Sequence, residues 1–283
     1  MQVEAYALVT AFSFGLSAVL VRKGLSDSTA VTATLVISGV QVVVLSLMLA
    51  LSPPSLSWAA VGYFVVAGLL AATMGRTLNY MSIDRLGVPI STSLSGTNPL
   101  FTIVFASILI GEAVEASTVA GTALVVAGIA LISGWGGENS VKKGDLVIPL
   151  TAASLYALSS IIRKTALTML PEPVLGAVVG ALASLVTYPL ILRLMNRQGD
   201  LRLTRGSLPY FAAAGVSNSV AWISMFIATQ SGSVSVVSAI IGANPLFGLL
   251  LSAVFLRDVE RITPRTIAGC LVIVAGITVI SLI

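Results

Sequence analysis

Asn98-Pro99-Leu100-Phe101 returns as Asn244-Pro245-Leu246-Phe247, an offset of 146 from 98 to 244. Both copies lie inside apolar runs, where proline removes a backbone donor and opens the hydrogen-bond ladder. The match extends in order along the chain. Downstream, Val126-Ala127-Gly128-Ile129 answers to Val274-Ala275-Gly276-Ile277; upstream, Arg22-Lys23 answers to Arg163-Lys164. The chain therefore reads as two similar halves, 1–135 and 146–283, joined by a polar linker at 136–145.

A helix rises 1.5 Å per residue, so a hydrocarbon core of about 30 Å takes roughly 20 apolar residues. Ten runs meet that requirement, near 4–22, 31–51, 58–80, 88–110, 116–134, 146–163, 172–192, 208–229, 234–256 and 264–282. They are called the first to tenth spans below. Five spans per half is an odd number, so the second half enters the membrane from the opposite side and the repeat is inverted. The expected fold class is all-α, a polytopic membrane protein of ten transmembrane helices in two inverted five-helix repeats.

Composition agrees. Hydrophobic residues make up 57% of the 283-residue chain and charged residues 9%, against roughly 25% charged in soluble domains. Mean hydropathy is +1.03, and a soluble fold is excluded. The pI near 9.5 does not point to nucleic acid, because the basic residues flank apolar spans. The N-terminus lacks the positive region of a signal peptide, so the first run is expected to be retained as a span. Twelve of the fifteen Lys and Arg fall in connections 1–2, 3–4, 5–6, 7–8 and 9–10. The positive-inside rule puts those connections in the cytoplasm and both termini outside a cell membrane. There is no histidine and a single cysteine, Cys270, which removes His-based catalysis, cysteine metal clusters and internal disulfides; no metal or cofactor is expected. The aspartates lie outside the spans, so an intramembrane aspartyl enzyme is not expected either.

The matched halves, each closing on a helix with glycines seven apart, resemble the EamA domains of the drug/metabolite transporter superfamily. The likeness runs over nearly the whole chain. Ser95 to Phe101, the Gly111-Glu112 turn and Ala120-Gly121 to Gly128 resemble that family's fourth and fifth helices, while Arg257-Asp258 departs from the Gly-Glu turn in the second copy. The resemblance implies a secondary transporter, often an exporter of amino acids or other metabolites, with a cavity lined chiefly by helices 1, 3, 4, 6, 8 and 9. The glycine helices also resemble the dimerising helix of small multidrug transporters. The membrane-embedded Glu of those pumps has no counterpart here, so proton-driven cation export is not expected.

Within the spans, Arg76 is the charge placed deepest, and an intramembrane ionisable group points to function. Two readings of it stand: a bidentate partner for a substrate carboxylate or phosphate, or a side chain snorkelling to the interface and pairing with Asp84. Thr73, Arg76 and Tyr80 follow helical spacing, with Asn79 near the same face. Ser91, Ser95, Asn98 and Thr102 form a polar stripe that serves either a cavity or interhelical bonding. The candidate substrate-binding set is Arg76, Asn79, Tyr80, Ser95, Asn98, Ser17, Tyr156, Asn218, Trp222 and Asn244, with Ser13, Ser154 and Ser160 as weaker members. Trp222 aligns with Arg76, which gives an expected cation on one wall and an aromatic face on the other, suited to an amphipathic anion or zwitterion. Pro99 and Pro245 are candidate hinges. Gly121, Gly128, Gly269 and Gly276 are expected to pack the last helices of the halves. Arg163-Lys164 breaks the charge rule and reads as interfacial charge or as an anion-attracting vestibule.

The expected partners are the lipid bilayer and a small-molecule substrate, with a coupling ion or counter-substrate, in a monomer or weak homodimer and without nucleic acid. The leading expectation is alternating-access transport of a small polar or amphipathic metabolite such as an amino acid, by export or exchange. Alternatives are an antiporter of phosphorylated metabolites or organic anions, and a channel or non-transporting scaffold.

Overall fold

The structure is a computed structural model that describes residues 2–51, 54–98, 143–194, 198–231, 240–257 and 262–281. It also describes positions 100–102, 104, 105, 120, 121, 123–125, 127, 128, 131 and 237. Six helices among these are long and apolar enough to cross a membrane: Gln2–Gly24, Ala30–Ala50, Trp58–Leu86, Gly144–Met169, Pro173–Leu194 and Ser207–Ser231. They are the first, second, third, sixth, seventh and eighth spans. The fourth is described from Val88–Ser95 onward, the ninth includes Asn244–Phe255 and the tenth is Pro264–Ser281. The chain is an all-α polytopic membrane protein.

The helices are turned inside out relative to a soluble bundle. Val43, Leu47, Val186, Leu190, Leu250 and Val254 are exposed, whereas Ser38, Gln41, Ser91 and Ser184 are buried. Lipid solvates the aliphatic belt, so apolar burial does not drive helices together; small residues and hydrogen bonds do. The interior is accordingly rich in alanine, including Ala11, Ala33, Ala72, Ala157, Ala181 and Ala221. Trp58, at the start of the third span, is exposed at a helix end, where an amphipathic ring suits the headgroup layer.

Packing follows a twofold exchange of the halves. The first span packs on the eighth as the sixth packs on the third; the second pairs with the seventh; the second meets the eighth as the seventh meets the third; the first meets the ninth as the sixth meets the fourth. Ser17 Oγ donates to Ala214 O at 3.4 Å, Ser217 Oγ to Ser13 O at 2.8 Å and Ser159 Oγ to Ala67 O at 2.8 Å across these interfaces. In the fifth and tenth spans, a Cβ on Gly128 would lie 2.8 Å from Gly269 O and one on Gly276 2.7 Å from Gly121 O. The two helices thus cross antiparallel, with backbone against backbone.

Connections sort onto two faces. On one, Arg22 lies 3.4 Å from Asp84 Oδ1 and Arg85 2.8 Å from Asp145 Oδ1, and Thr29 Oγ1 donates to Asp200 O at 2.6 Å. These residues belong to connections 1–2, 3–4 and 7–8 and the start of the sixth span. On the opposite face, Ser55 Oγ donates to Glu172 at 2.9 Å and Gln230 Nε2 to Pro171 O at 3.0 Å, joining connections 2–3, 6–7 and 8–9. Two boundaries move. The sixth-span helix begins at Lys143 and ends at Met169, so 143–145 of the expected linker are helical, with Asp145 favourably placed in the first turn. The remaining linker positions lie outside the described residues.

Candidate functional site

The third span is not a uniform α-helix. Leu69–Gly75 forms a π-helical segment, a rare winding that concentrates at functional sites. Its surplus residue frees carbonyls that must find donors. Ser184 Oγ donates to Ala72 O at 3.0 Å and Thr77 Oγ1 to Thr73 O at 2.6 Å. Arg76 follows directly, its N–H reaching back five residues to Ala71 O.

The fourth and ninth spans break in the same way. Thr97 N–H bonds Leu94 O and Leu100 N–H bonds Thr97 O; 146 residues on, Ala243 N–H bonds Ile240 O and Leu246 N–H bonds Ala243 O. Each break is a tight turn, at Gly96-Thr97 and Gly242-Ala243, after which a new helix starts at the asparagine. Pro245 sits in the first turn of its helix, a position where proline's missing N–H costs nothing. It therefore starts a helix and does not bend a continuous one. Pro99 lies outside the described residues. The breaks face each other, since a Cβ on Gly96 would lie 3.2 Å from Pro245 Cγ.

Between the halves these elements enclose a cavity of about 1110 Å³, mouth included. It receives all ten candidates: Ser17 from the first span, Arg76, Asn79 and Tyr80 from the third, Ser95 and Asn98 from the fourth, Tyr156 from the sixth, Asn218 and Trp222 from the eighth, and Asn244 from the ninth. Ser160 lines it too, while Ser13 and Ser154 do not. Upstream of Arg76 the lining residue is Ala71, not Thr73, because the π winding spaces that face by five.

Arg76 is 3% exposed, which rules out the snorkelling reading, and Asp84 is engaged with Arg22. Its Nη1 donates to Ser38 Oγ at 3.0 Å, and Ser38 Oγ donates to Ser184 Oγ at 3.1 Å. Its Nη2 is buried with no partner among the described residues. The guanidinium carbon sits 5.3 Å from the Trp222 ring centroid, so cation and aromatic ring are neighbours in one cation–π pair and not two opposed walls. Tyr80 and Asn218 form a second polar group. The Asn218 amide donates to Ser17 Oγ, to Tyr80 Oη at 3.4 Å and to Ala214 O at 3.2 Å. The serine stripe serves both expected roles: Ser95 Oγ donates to Asn79 Oδ1 at 2.6 Å and Ser91 Oγ to Ser82 Oγ at 2.8 Å, and Ser95 also lines the cavity. Asn244 Oδ1 is buried without a partner among the described residues.

Arg163 does not stand at a helix end: it is 6% exposed, lies inside the sixth-span helix and lines the same cavity. It donates to Ser160 Oγ at 3.0 Å and lies 5.2 Å from the Phe226 centroid. The neighbouring Lys164 donates to Thr229 O at 2.9 Å. The signal for Arg163 was its place on the side of the chain that should be poor in basic residues.

Among the described residues, no carboxylate lines the cavity and no group of three His, Cys, Asp or Glu converges. The described lining offers two guanidinium groups, amides and hydroxyls set in an apolar wall. Comparisons with known proteins agree with this architecture. A solved structure described only as a crystal structure of a protein superposes with a TM-score of 0.62 at 18% identity, over 96% of this chain and 98% of its own. An uncharacterized transporter of Archaeoglobus fulgidus is 25% identical over 219 residues, 77% of this chain and 75% of the relative. The model of the EamA-like transporter family matches twice, over residues 1–134 and 142–282, so this chain belongs to the EamA-like transporter family.

Proposed function

We propose that the chain is a secondary transporter of a small carboxylate-bearing metabolite, an amino acid or other organic acid, moved by rocking of the halves about the cavity between them. The observation that carries this reading is Arg76, a buried guanidinium without an ion-pair partner among the described residues, held in a cavity built by both repeats. Placing an arginine at membrane depth costs at least about 2.5–3.5 kcal/mol, and an anionic group bound there offsets that cost. The broken fourth and ninth spans supply the discontinuous helices on which midplane sites of such transporters are built. The face carrying most Lys and Arg is assigned to the cytoplasm, in a plasma membrane, with export or exchange across it.

The test is counterflow in proteoliposomes. Labelled carboxylates and amino acids should accumulate transiently against an outward gradient of the same unlabelled compound. Arg76→Gln should abolish that accumulation while the purified variant keeps its elution profile and melting temperature. A lack of counterflow with every carboxylate tried, or full activity in Arg76→Gln, overturns the reading.

A further inference from the structure

Among the described residues two cations, Arg76 and Arg163, line the cavity, and they are joined by a ladder of rings. Arg76 lies 5.3 Å from the Trp222 centroid, Trp222 stacks on Phe226 at 5.8 Å with 29° between planes, and Phe226 lies 5.2 Å from the Arg163 carbon. Trp222 and Phe226 are one turn apart on the eighth span, so each arginine is held at its own ring. A cation–π contact leaves guanidinium donors available for a second partner. Both arginines retain such a donor, Arg76 Nη2 and Arg163 Nε, buried and without partner among the described residues.

The repeat shows that the unpaired charge at Arg163 is specific to the second half. Arg22 holds the position in the first half that Arg163 holds in the second, and Arg22 lies 3.4 Å from Asp84. At the residue matching Asp84, 146 positions on, the second half has Gln230, which donates instead to Pro171 O. With no carboxylate among the described residues of the lining, Arg76 and Arg163 leave two positive charges uncompensated by those residues. A single carboxylate answers only one of them and leaves the other charge buried alone in a low dielectric, which is unfavourable.

Resting on the transport reading above, we infer that the preferred substrate is a small organic dianion with two separate acidic groups, one held at Arg76 and the other at Arg163. The ring ladder sets the groups apart, which favours a dicarboxylate over one acidic group shared between the arginines.

The test uses the full-length protein in proteoliposomes with α,ω-dicarboxylates from succinate to suberate, each paired with its monoamide. The two members of a pair are nearly isosteric and differ by one charge. In the wild-type protein at least one dicarboxylate should compete with its own transport about tenfold or more better than its monoamide does, the scale of one charge-assisted hydrogen-bonded contact. Arg163→Gln should collapse that ratio toward one, and Arg163→Lys should restore part of it. Equal recognition within every pair, or a ratio unmoved by Arg163→Gln, overturns the inference. Counterflow confined to amino acids or monocarboxylates also overturns it while leaving the transport reading in place; no counterflow with any carboxylate removes both.

Discussion

The Arg76 guanidinium rests 5.3 Å from the ring centroid of Trp222, and the two residues hold the same position in the two halves, 146 apart. Residues related by the exchange of halves meet when they lie close to its axis. The contact therefore marks the axis, and it is made of unlike partners. An arginine against its own copy would repel; an indole there gives the cation a π face and a rigid wall.

Trp222→Ala is expected to weaken substrate competition by about twofold to about thirtyfold, the range of a cation–π contact worth about 0.5–2 kcal/mol. It should also lower the melting temperature, since truncating a buried tryptophan costs about 3–5 kcal/mol. Trp222→Phe should recover most of the transport. Transport kinetics beside thermal unfolding check this, and an Ala variant with unchanged KM contradicts it.

Ser38 and Ser184 are expected to act through Arg76. Ser38→Ala leaves Nη1 unpaired, and a hydrogen bond to a charged group is worth about 1.5–3 kcal/mol, so KM should rise about tenfold with little change in maximal rate. Ser38→Thr, which keeps the hydroxyl, should restore it. Ser184→Ala should cost less, and the double variant less than the two effects combined, because both belong to one chain of bonds. Strict additivity in uptake assays would show the serines to be independent.

At the crossing of the fifth and tenth spans, Gly276→Ala places a Cβ 2.7 Å from Gly121 O, a backbone atom that cannot swing aside. A stability loss of about 1–3 kcal/mol is expected. Gly39→Ala is the control, because nothing lies within 4 Å of its Cβ; it should be neutral or gain up to about 1 kcal/mol from helix propensity. Thermal unfolding in detergent separates the two, and equal melting points for both variants would remove the close crossing.

Orientation is open to impermeant thiol reagents, since the native Cys270 is buried. Leu56→Cys, in connection 2–3, should label on intact cells, and Asp27→Cys, in connection 1–2, only after permeabilisation. The reverse pattern would invert the assignment; labelling of both from one side would contradict the two-faced arrangement.

Much of the fold was legible in the chain because membrane helices must be long, apolar and internally bonded, and because Asn-Pro recurs in order with its neighbours. The cavity lining was legible as polar side chains stranded in apolar runs, and the ten candidate residues share one cavity. The π segment was not legible. It depends on donors such as Ser184, more than a hundred residues away, that satisfy its carbonyls. Arg163 was misplaced because hydropathy records where an apolar run stops, at 163, whereas the helix continues to Met169 through Lys164, Thr165 and Thr168. There Thr165 Oγ1 bonds back to Ile161 O and Thr168 Oγ1 to Thr165 O. Alignment paired Arg76 with Trp222 but could not give their distance. Part of the linker, Pro99, Glu112 and Asp258 lie outside the described residues.

The π winding at Leu69–Gly75 has a consequence for how such a cavity changes its lining. One residue on a helix is worth about 100° of rotation. Rewinding the same residues as ordinary α-helix, with none removed, would swing Arg76, Asn79 and Tyr80 together to another bearing, with none of the three altered. What the third span presents to the cavity is thus set by how the segment before Arg76 is wound as much as by which residues it carries.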